Sequence, residues 1–134
     1  MVNVTKGKLL GSVDMPGYAE SVYEARQFIR KVLGAEHPAL DNTALLVSEL
    51  VTNSVVHSDS HGGGRVTVVV TECADVIHVD VIDEGSESEP HVRADPYAEG
   101  GRGLFLVDVL AARWGVYDDE AGRVVWFEVK ADGS

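Results

Sequence analysis

The sequence predicts an α/β fold, a two-layer sandwich in which three helices cover one face of a mixed, mostly antiparallel sheet. Three observations support this prediction. Long segments repeat apolar residues at helical spacing, shorter segments alternate apolar and polar residues like strands, and neighbouring strand segments are joined by turns short enough only for hairpins. The 134 residues fit a single domain, which we assign to residues 1–134.

The composition restricts the possible classes of function. A net charge of −11 opposes direct binding to nucleic acid or to an anionic membrane, but it permits a protein partner with a basic patch. The single cysteine, Cys73, excludes an internal disulfide. The sequence shows neither a signal peptide nor an apolar run of about 18 residues, so we expect a cytoplasmic protein without a membrane span.

The first helix is predicted over Tyr18–Leu33, after a candidate strand at Lys8–Asp14. One face of this helix carries apolar residues and the opposite face carries charges, as in amphipathic helices. The apolar set is Val22, Ala25, Phe28 or Ile29, and Val32, and the charged set is Glu24, Arg26, Arg30 and Lys31. Gly34 follows at the position where glycine commonly ends a helix.

The second helix is predicted to contain Leu45–His57, with Asp41 as its N-cap. Apolar residues surround most of its circumference, which indicates a largely buried helix. Glu49 and Asn53 are four residues apart and therefore share one face of it. Burying a carboxylate and a carboxamide there is costly without partners. Either another part of the chain satisfies them, or they face a cavity that holds something polar.

Two strands are predicted next, at Arg65–Glu72 and Asp75–Asp83, after a loop at Ser58–Gly64. The second strand alternates apolar and polar residues, which is typical of a sheet with one covered face. By this period Asp83 falls on the apolar side. After the pair Glu49 and Asn53, this is the second polar interruption that the sequence places toward the core.

The remainder of the chain begins with Glu84–Gly100, a stretch without periodicity whose length is typical of functional loops and lids. A glycine-rich tetrapeptide at Gly100–Gly103 is then expected to open a helix at Leu104–Arg113. Two strands joined by a hairpin turn end the predicted domain, at Trp114–Asp118 and Arg123–Lys130.

Three signals stand out, and each has an ordinary explanation. The pair Glu49 and Asn53 could be a satisfied core network, the segment Asp83–Gly85 a turn, and the glycine cluster at Gly101–Gly103 a helix cap. In combination they indicate a site for an anionic nucleotide with a metal ion. Amide groups near Gly103 can accept phosphates, and the Asn53 oxygen is a hard ligand that suits Mg²⁺. Glu49 could take a proton from a hydroxyl. The inward Asp83 could accept a hydrogen bond from an exocyclic amine such as that of adenine.

These segments resemble the Bergerat-fold ATPases, the superfamily of DNA gyrase, histidine kinases and MutL. The closest resemblance is to the small anti-sigma factor serine kinases that are common in actinobacteria. Leu46–Ser58 is similar to the N box of that branch, Val81–Gly85 to its first glycine box, and Gly100–Val107 to its second. The resemblance extends from about Tyr18 to Lys130.

The resemblance implies a role for each matching residue. Asn53 would coordinate Mg²⁺, and Glu49 would act as general base or position the nucleophile. Asp83 would bind the adenine amino group, with Gly85 allowing the base to approach closely. The phosphates of ATP would lie at the start of the last helix, at Gly101, Arg102 and Gly103.

The resemblance also implies an activity, that of an ATP-dependent serine/threonine protein kinase. In that branch the kinase holds a sigma factor inactive and phosphorylates a small antagonist protein, and its members often form homodimers. Glu87 departs from the pattern, because the fuller first glycine box has glycine there. The alternative is therefore a non-catalytic, nucleotide-gated regulator of a protein partner. A domain that has lost nucleotide binding is disfavoured because the other motif residues are intact.

Overall fold

A computed structural model describes residues 7–57, 64–83, 101–120 and 122–134. Its elements in chain order are β1 (Gly7–Pro16), α1 (Glu20–Leu33), α2 (Leu40–His57), β2 (Arg65–Cys73), β3 (Val76–Asp83), α3 (Gly101–Leu110), β4 (Arg113–Asp119) and β5 (Gly122–Lys130). No helix among these residues combines the length and the apolar character needed to cross a membrane. The loop predicted at Ser58–Gly64 and the stretch Glu84–Gly100 lie outside the described residues, apart from Gly64.

The five strands form one sheet in the order β1-β2-β3-β5-β4, and each of the four pairings is antiparallel. The predicted α/β class and the mostly antiparallel sheet are therefore confirmed. The pairing of β3 with β5 places Val79 opposite Phe127, although α3 and β4 lie between these strands in the sequence. This pairing joins the N-terminal and C-terminal strand groups into one sheet.

The three helices pack on one face of the sheet, and the core lies between the two layers. Every second residue of β2 and β3 is buried on this face, as the alternation predicts. The fully buried side chains of the two layers include Val68, Val70, Ile77, Val79 and Phe127 from the sheet and Ala25, Ile29, Leu46, Val47 and Val51 from the helices. The indole nitrogen of Trp114 donates to a carboxylate oxygen of Asp108 at 3.0 Å and connects β4 to α3.

The start of α2 differs from the prediction. The helix begins at Leu40, so Asp41 lies in its first turn and the expectation that it is the N-cap is wrong. The Ala39 carbonyl accepts the amide of Thr43 at 3.0 Å, which makes Ala39 the capping position. The His37 ring accepts the Ala39 amide at 3.0 Å, so it holds the turn immediately before the helix. Asp41 still favours the helix, because a carboxylate in the first turn complements the dipole.

The third helix is displaced toward the N-terminus relative to the prediction of Leu104–Arg113. It begins at Gly101, so the glycine cluster forms its first turn and does not precede it. It ends at Leu110 because the chain there joins the sheet, with the Ala112 amide donating to the Glu128 carbonyl at 2.7 Å. Arg113 is consequently the first residue of β4.

The end of α1 agrees with the prediction. Gly34 adopts a φ of 98°, and its amide donates to the Arg30 carbonyl at 2.9 Å. Only glycine adopts such a φ without steric cost, so this residue ends the helix and allows the chain to reverse toward α2.

The sheet face opposite the helices carries a polar and aromatic cluster, which we call the outer-face network. His78 contacts a carboxylate through each ring nitrogen, Glu128 at 2.9 Å through Nδ1 and Asp80 at 3.2 Å through Nε2. Its ring stacks on Trp126 with centroids 5.4 Å apart. Arg113 donates to Glu128 at 2.9 Å and lies over the same indole. The network therefore connects β3, β5 and β4 on the face without helices.

The contacts of the outer-face network shift two pKa values in opposite directions. The hydrogen bond to Asp80 and that to Glu128 raise the pKa of His78 above its ordinary 6.5, although burial opposes this shift. Burial alone would raise the pKa of Glu128, but hydrogen bonds from His78 and Arg113 outweigh burial and lower it below its ordinary 4.5. Both shifts favour the charged forms, because both ring nitrogens of His78 can donate only in the imidazolium state.

Candidate functional site

The candidate site is built on α2, whose apolar surface anchors it between the sheet and the other helices. Leu46, Val47 and Val51 are fully buried, which confirms the predicted largely buried helix. Glu49 and Asn53 interrupt this surface on successive turns, and both are half-buried. Neither side chain hydrogen-bonds to another residue in the part of the chain that the structure describes. The choice between a satisfied core network and a polar cavity stays a prediction for the binding experiments.

Glu49 lies at a groove between α1 and α2 with a volume of about 350 Å³. Its carboxylate is therefore accessible to a molecule that enters from the surface. The residues lining the groove are Arg26, Gln27 and Arg30 from α1 and Leu40, Asp41, Ala44, Leu45, Ser48 and Glu49 from α2. The sequence analysis identified Glu49 but not the groove, because the pairing of two helix surfaces is a tertiary feature.

Asn53 lies one turn after Glu49, and its chemistry fits a hard cation. Its carboxamide has no hydrogen-bond partner within the described residues, and it lies on the helix α2. No cluster of three or more histidine, cysteine or acidic residues that could hold a metal occurs in the described ranges. A single protein oxygen suits Mg²⁺ bound together with a nucleotide, because this ion commonly takes one or two protein ligands and completes its shell with phosphates and water.

Asp83 is the last residue of β3 and is half-buried. In the strand register, Asp83 pairs with Val66 of β2 on one side and with Arg123 of β5 on the other. It follows Val79 and Val81 at every second position, so it lies on the helix-covered face as predicted. A carboxylate at this strand end is thus on the same side of the sheet as α2.

Gly101, Arg102 and Gly103 form the first turn of α3. The first amide groups of a helix have no partner within the helix, and its dipole is positive at that end. This turn can therefore receive an anion, as expected from the glycine cluster, although the glycines lie inside the helix and not before it. The predicted contact of Gly85 with the base lies outside the described residues.

The pair Glu49 and Asn53, the strand-end Asp83 and the glycine cluster lie on elements that contact one another. α2 packs against β3 on one side and against α3 on another. The helix with Glu49 and Asn53 is therefore the common neighbour of the strand that ends at Asp83 and of the helix that begins with the glycines.

Comparison with known proteins supports the same assignment. The family model for the histidine kinase-like ATPase domain matches residues 15–129. The serine-protein kinase RsbW of Listeria monocytogenes is 33% identical over 105 residues, which cover 69% of this chain and 67% of that protein. The RsbW of Listeria innocua matches over the same length with the same identity.

Solved structures show the same fold at lower identity. The histidine kinase domain of a blue-light activated histidine kinase from Erythrobacter litoralis superposes with a TM-score of 0.56 over 84% of this chain, at 20% identity. A second structure of that kinase gives a TM-score of 0.56 over 90% of this chain, at 17% identity. The chain spans 60% and 42% of the lengths of these two proteins. By its matched family model and its relatives, the chain belongs to the histidine kinase-like ATPase domain family.

Proposed function

We propose that this protein is an ATP-dependent serine/threonine protein kinase of the anti-sigma factor type. The observation that carries this proposal is the pair Glu49 and Asn53, half-buried on successive turns of α2 without a partner among the described residues. Membership in an ATPase family implies that the bound nucleotide is ATP. The relatives named serine-protein kinase support serine as the acceptor.

The nucleotide would lie against α2, with its adenine toward Asp83 and its phosphates toward the first turn of α3. Gly85 would allow the base to approach, while Gly101, Arg102 and Gly103 would contact the phosphates. The positive end of the α3 dipole supports this orientation because it favours the negative charge of the phosphates. Asn53 would hold Mg²⁺, which when bound neutralises charge on the phosphate oxygens.

Glu49 would serve the transfer step as general base or would position the acceptor. The serine hydroxyl oxygen forms a bond to the γ-phosphorus, and the bond from that phosphorus to the bridging oxygen of ADP breaks. The hydroxyl proton passes to the Glu49 carboxylate and then to water. Positioning and charge stabilisation supply most of the acceleration in such transfers, so a half-buried carboxylate on a rigid helix suits this role.

The protein partners would be those of the anti-sigma type, a sigma factor that is sequestered and a small antagonist that receives the phosphate. The names of the relatives support a kinase acting on protein serine, and the motifs support the regulatory branch. We also propose a cytoplasmic location and association into homodimers, as the resemblance implies.

Isothermal titration with ATP and ADP, with and without Mg²⁺, tests the nucleotide site. We expect wild-type protein to bind ATP, and we expect Asn53→Ala to lose about tenfold in the Mg²⁺-dependent affinity. Thr52→Ala is the matched control, because Thr52 is exposed on the same helix and should leave affinity unchanged. Equal affinities of all three proteins, or no ATP binding by wild type, would exclude the proposed site.

A nucleotide-gated regulator without catalysis is the second candidate. The glutamate at position 87, where the family pattern has glycine, favours it. Glu49→Ala separates the two candidates. A kinase loses transfer of labelled phosphate from ATP to antagonist proteins but keeps ATP binding, whereas a non-catalytic regulator keeps full control of its partner.

A further inference from the structure

The groove between α1 and α2 has two walls of different chemistry. Arg26 and Arg30 lie on the α1 wall, while the α2 wall carries two carboxylates, those of Asp41 and Glu49. Arg26 and Arg30 are both exposed, and neither forms an ion pair with any residue in the described parts of the chain. The groove thus combines two free guanidinium groups with the proposed catalytic carboxylate.

The two arginines are also unfavourably placed within their own helix. They are four residues apart, and like charges at that spacing destabilise a helix. The positions three and four residues from either arginine hold no acid, since they are Val22, Tyr23, Gln27, Ile29, Leu33 and Gly34, besides the other arginine. The helix therefore carries this pair without internal compensation.

The helix dipole explains only one of these residues. Arg30 lies in the last turn of α1, where a cation is favourable. Arg26 lies one turn earlier, and the dipole effect decays within the last turn. Asp41 and Glu49 on the opposite wall balance the charge of the groove, but among the described residues no ion pair joins either of them to Arg26 or Arg30. Both guanidinium groups can therefore still pair with a bound carboxylate.

We propose that this groove docks an acidic, serine-bearing segment of the protein substrate, an inference that rests on the proposed kinase function. The acidic side chains of the segment pair with Arg26 and Arg30, and its hydroxyl lies at Glu49. Guanidinium groups suit this contact because their planar forks bind carboxylates through two hydrogen bonds.

The spacing of the arginines indicates the form of the segment. Residues four apart on a helix are separated by about 6 Å along its axis. Two residues at alternate positions of an extended chain are separated by about 6.6 Å and point to the same side. An extended segment with acidic residues at alternate positions therefore matches Arg26 and Arg30. We expect the acceptor serine to lie beyond this pair, toward the α2 wall.

The test uses two synthetic serine peptides that differ only in a Glu-Ala-Glu or a Gln-Ala-Gln triplet. Each is titrated into the 134-residue protein loaded with ADP and Mg²⁺, and binding is followed by amide chemical shifts. We expect the glutamate peptide to shift the signals of Arg26, Arg30 and Glu49. We expect the glutamine peptide to bind about tenfold more weakly, because two charge pairs are lost. Affinity should also fall with added salt.

Charge reversal identifies the residues responsible. Arg26→Glu combined with Arg30→Glu should weaken binding of the glutamate peptide by at least about tenfold. Lys31→Glu is the matched control, because Lys31 is exposed on α1 but does not line the groove, and it should change affinity by about twofold or less. Circular dichroism checks that each variant folds. Equal effects of the control and the double variant, or peptide-induced shifts confined to another surface, would overturn the proposal.

Titration of ATP into the same proteins separates this proposal from the kinase proposal. If ATP binds and the double variant still binds the glutamate peptide normally, the docking groove is wrong and the kinase proposal remains. If wild type binds the peptide through the two arginines but does not bind ATP, the kinase proposal fails while the groove remains a site for acidic segments.

Discussion

The outer-face network provides a quantitative test of how the sheet is stabilised. We consider Glu128→Gln, which keeps the size and shape of the side chain but removes its charge. Glu128 is 10% exposed, and it accepts hydrogen bonds from His78 and from Arg113. The amide can still accept a hydrogen bond, so the substitution removes mainly the charge-assisted part of these contacts.

The stabilisation that Glu128 provides depends on how exposed its partners His78 and Arg113 are. His78 is 24% exposed, so its bond to Glu128 is close to the lower end of bonds to charged groups, about 1.5 kcal/mol. Arg113 is 70% exposed, which limits its pair to the surface range of about 0.5 kcal/mol. The two contacts together contribute about 2 kcal/mol, of which a neutral hydrogen bond to the amide retains about 1 kcal/mol. We therefore expect Glu128→Gln to lower the free energy of unfolding by about 1 kcal/mol near pH 6, and the urea midpoint by roughly 0.5–1 M.

The pH dependence follows from the directions of the two pKa shifts. The stabilisation from His78 is complete below its ordinary pKa of 6.5, and it is lost as pH rises through the raised pKa of the folded protein. The stabilisation from Glu128 is complete above its ordinary 4.5 and is lost as pH falls through the lowered folded pKa. The network is therefore strongest between roughly pH 4.5 and 6.5.

Urea denaturation of wild type and variant at a series of pH values measures this dependence. The control is Asp118→Asn, because Asp118 is 61% exposed and its closest contact with Arg123 is 3.5 Å, so the loss should stay below about 0.5 kcal/mol. The reasoning is refuted if Glu128→Gln costs no more than the control. It is also refuted if the difference from wild type is the same at about pH 9 as near pH 6.

Two further substitutions test the packing. Gly115→Ala places a Cβ 2.7 Å from the Trp126 indole nitrogen, so the ring must move. We expect the free energy of unfolding to fall by about 1–3 kcal/mol and the near-UV circular dichroism spectrum to change. An unchanged spectrum together with unchanged stability would contradict this geometry. Thr43→Val removes a fully buried hydroxyl that has no hydrogen-bond partner within the described residues; we expect the free energy of unfolding to rise by about 1 kcal/mol in thermal or urea denaturation, and a decrease would show that the hydroxyl is satisfied.

Local patterns predicted the elements that depend on neighbouring residues. The spacing of Ala25 and Ile29 marked the buried face of α1, and Gly34 marked its end. Alternation around Val79 gave both the strand and its covered face. These features depend on side chains a few positions apart, so periodicity in the sequence records them directly.

The features that the sequence did not predict depend on residues that meet only after folding. Asp41 was assigned as a cap from its type, whereas the His37 ring accepts the amide that fixes the turn. Alternation in β3 indicates which face is covered, but it does not indicate that His78 on the opposite face is stacked and hydrogen-bonded to residues on another strand. Arg26 looked like an ordinary surface residue until the second wall of the groove was known. The roles assigned to Glu49 and the other motif residues stay predictions for the binding experiments.

The position of β3 within the sheet has a consequence for how the protein forms during translation. β3 ends at Asp83, but its second neighbour, β5, begins at Gly122, so the ribosome must synthesise α3 and β4 before that side of β3 can be paired. Until then the nascent chain presents the apolar residues and open backbone groups of a central strand. We therefore expect early termination before β5 to yield an aggregating product that chaperones retain.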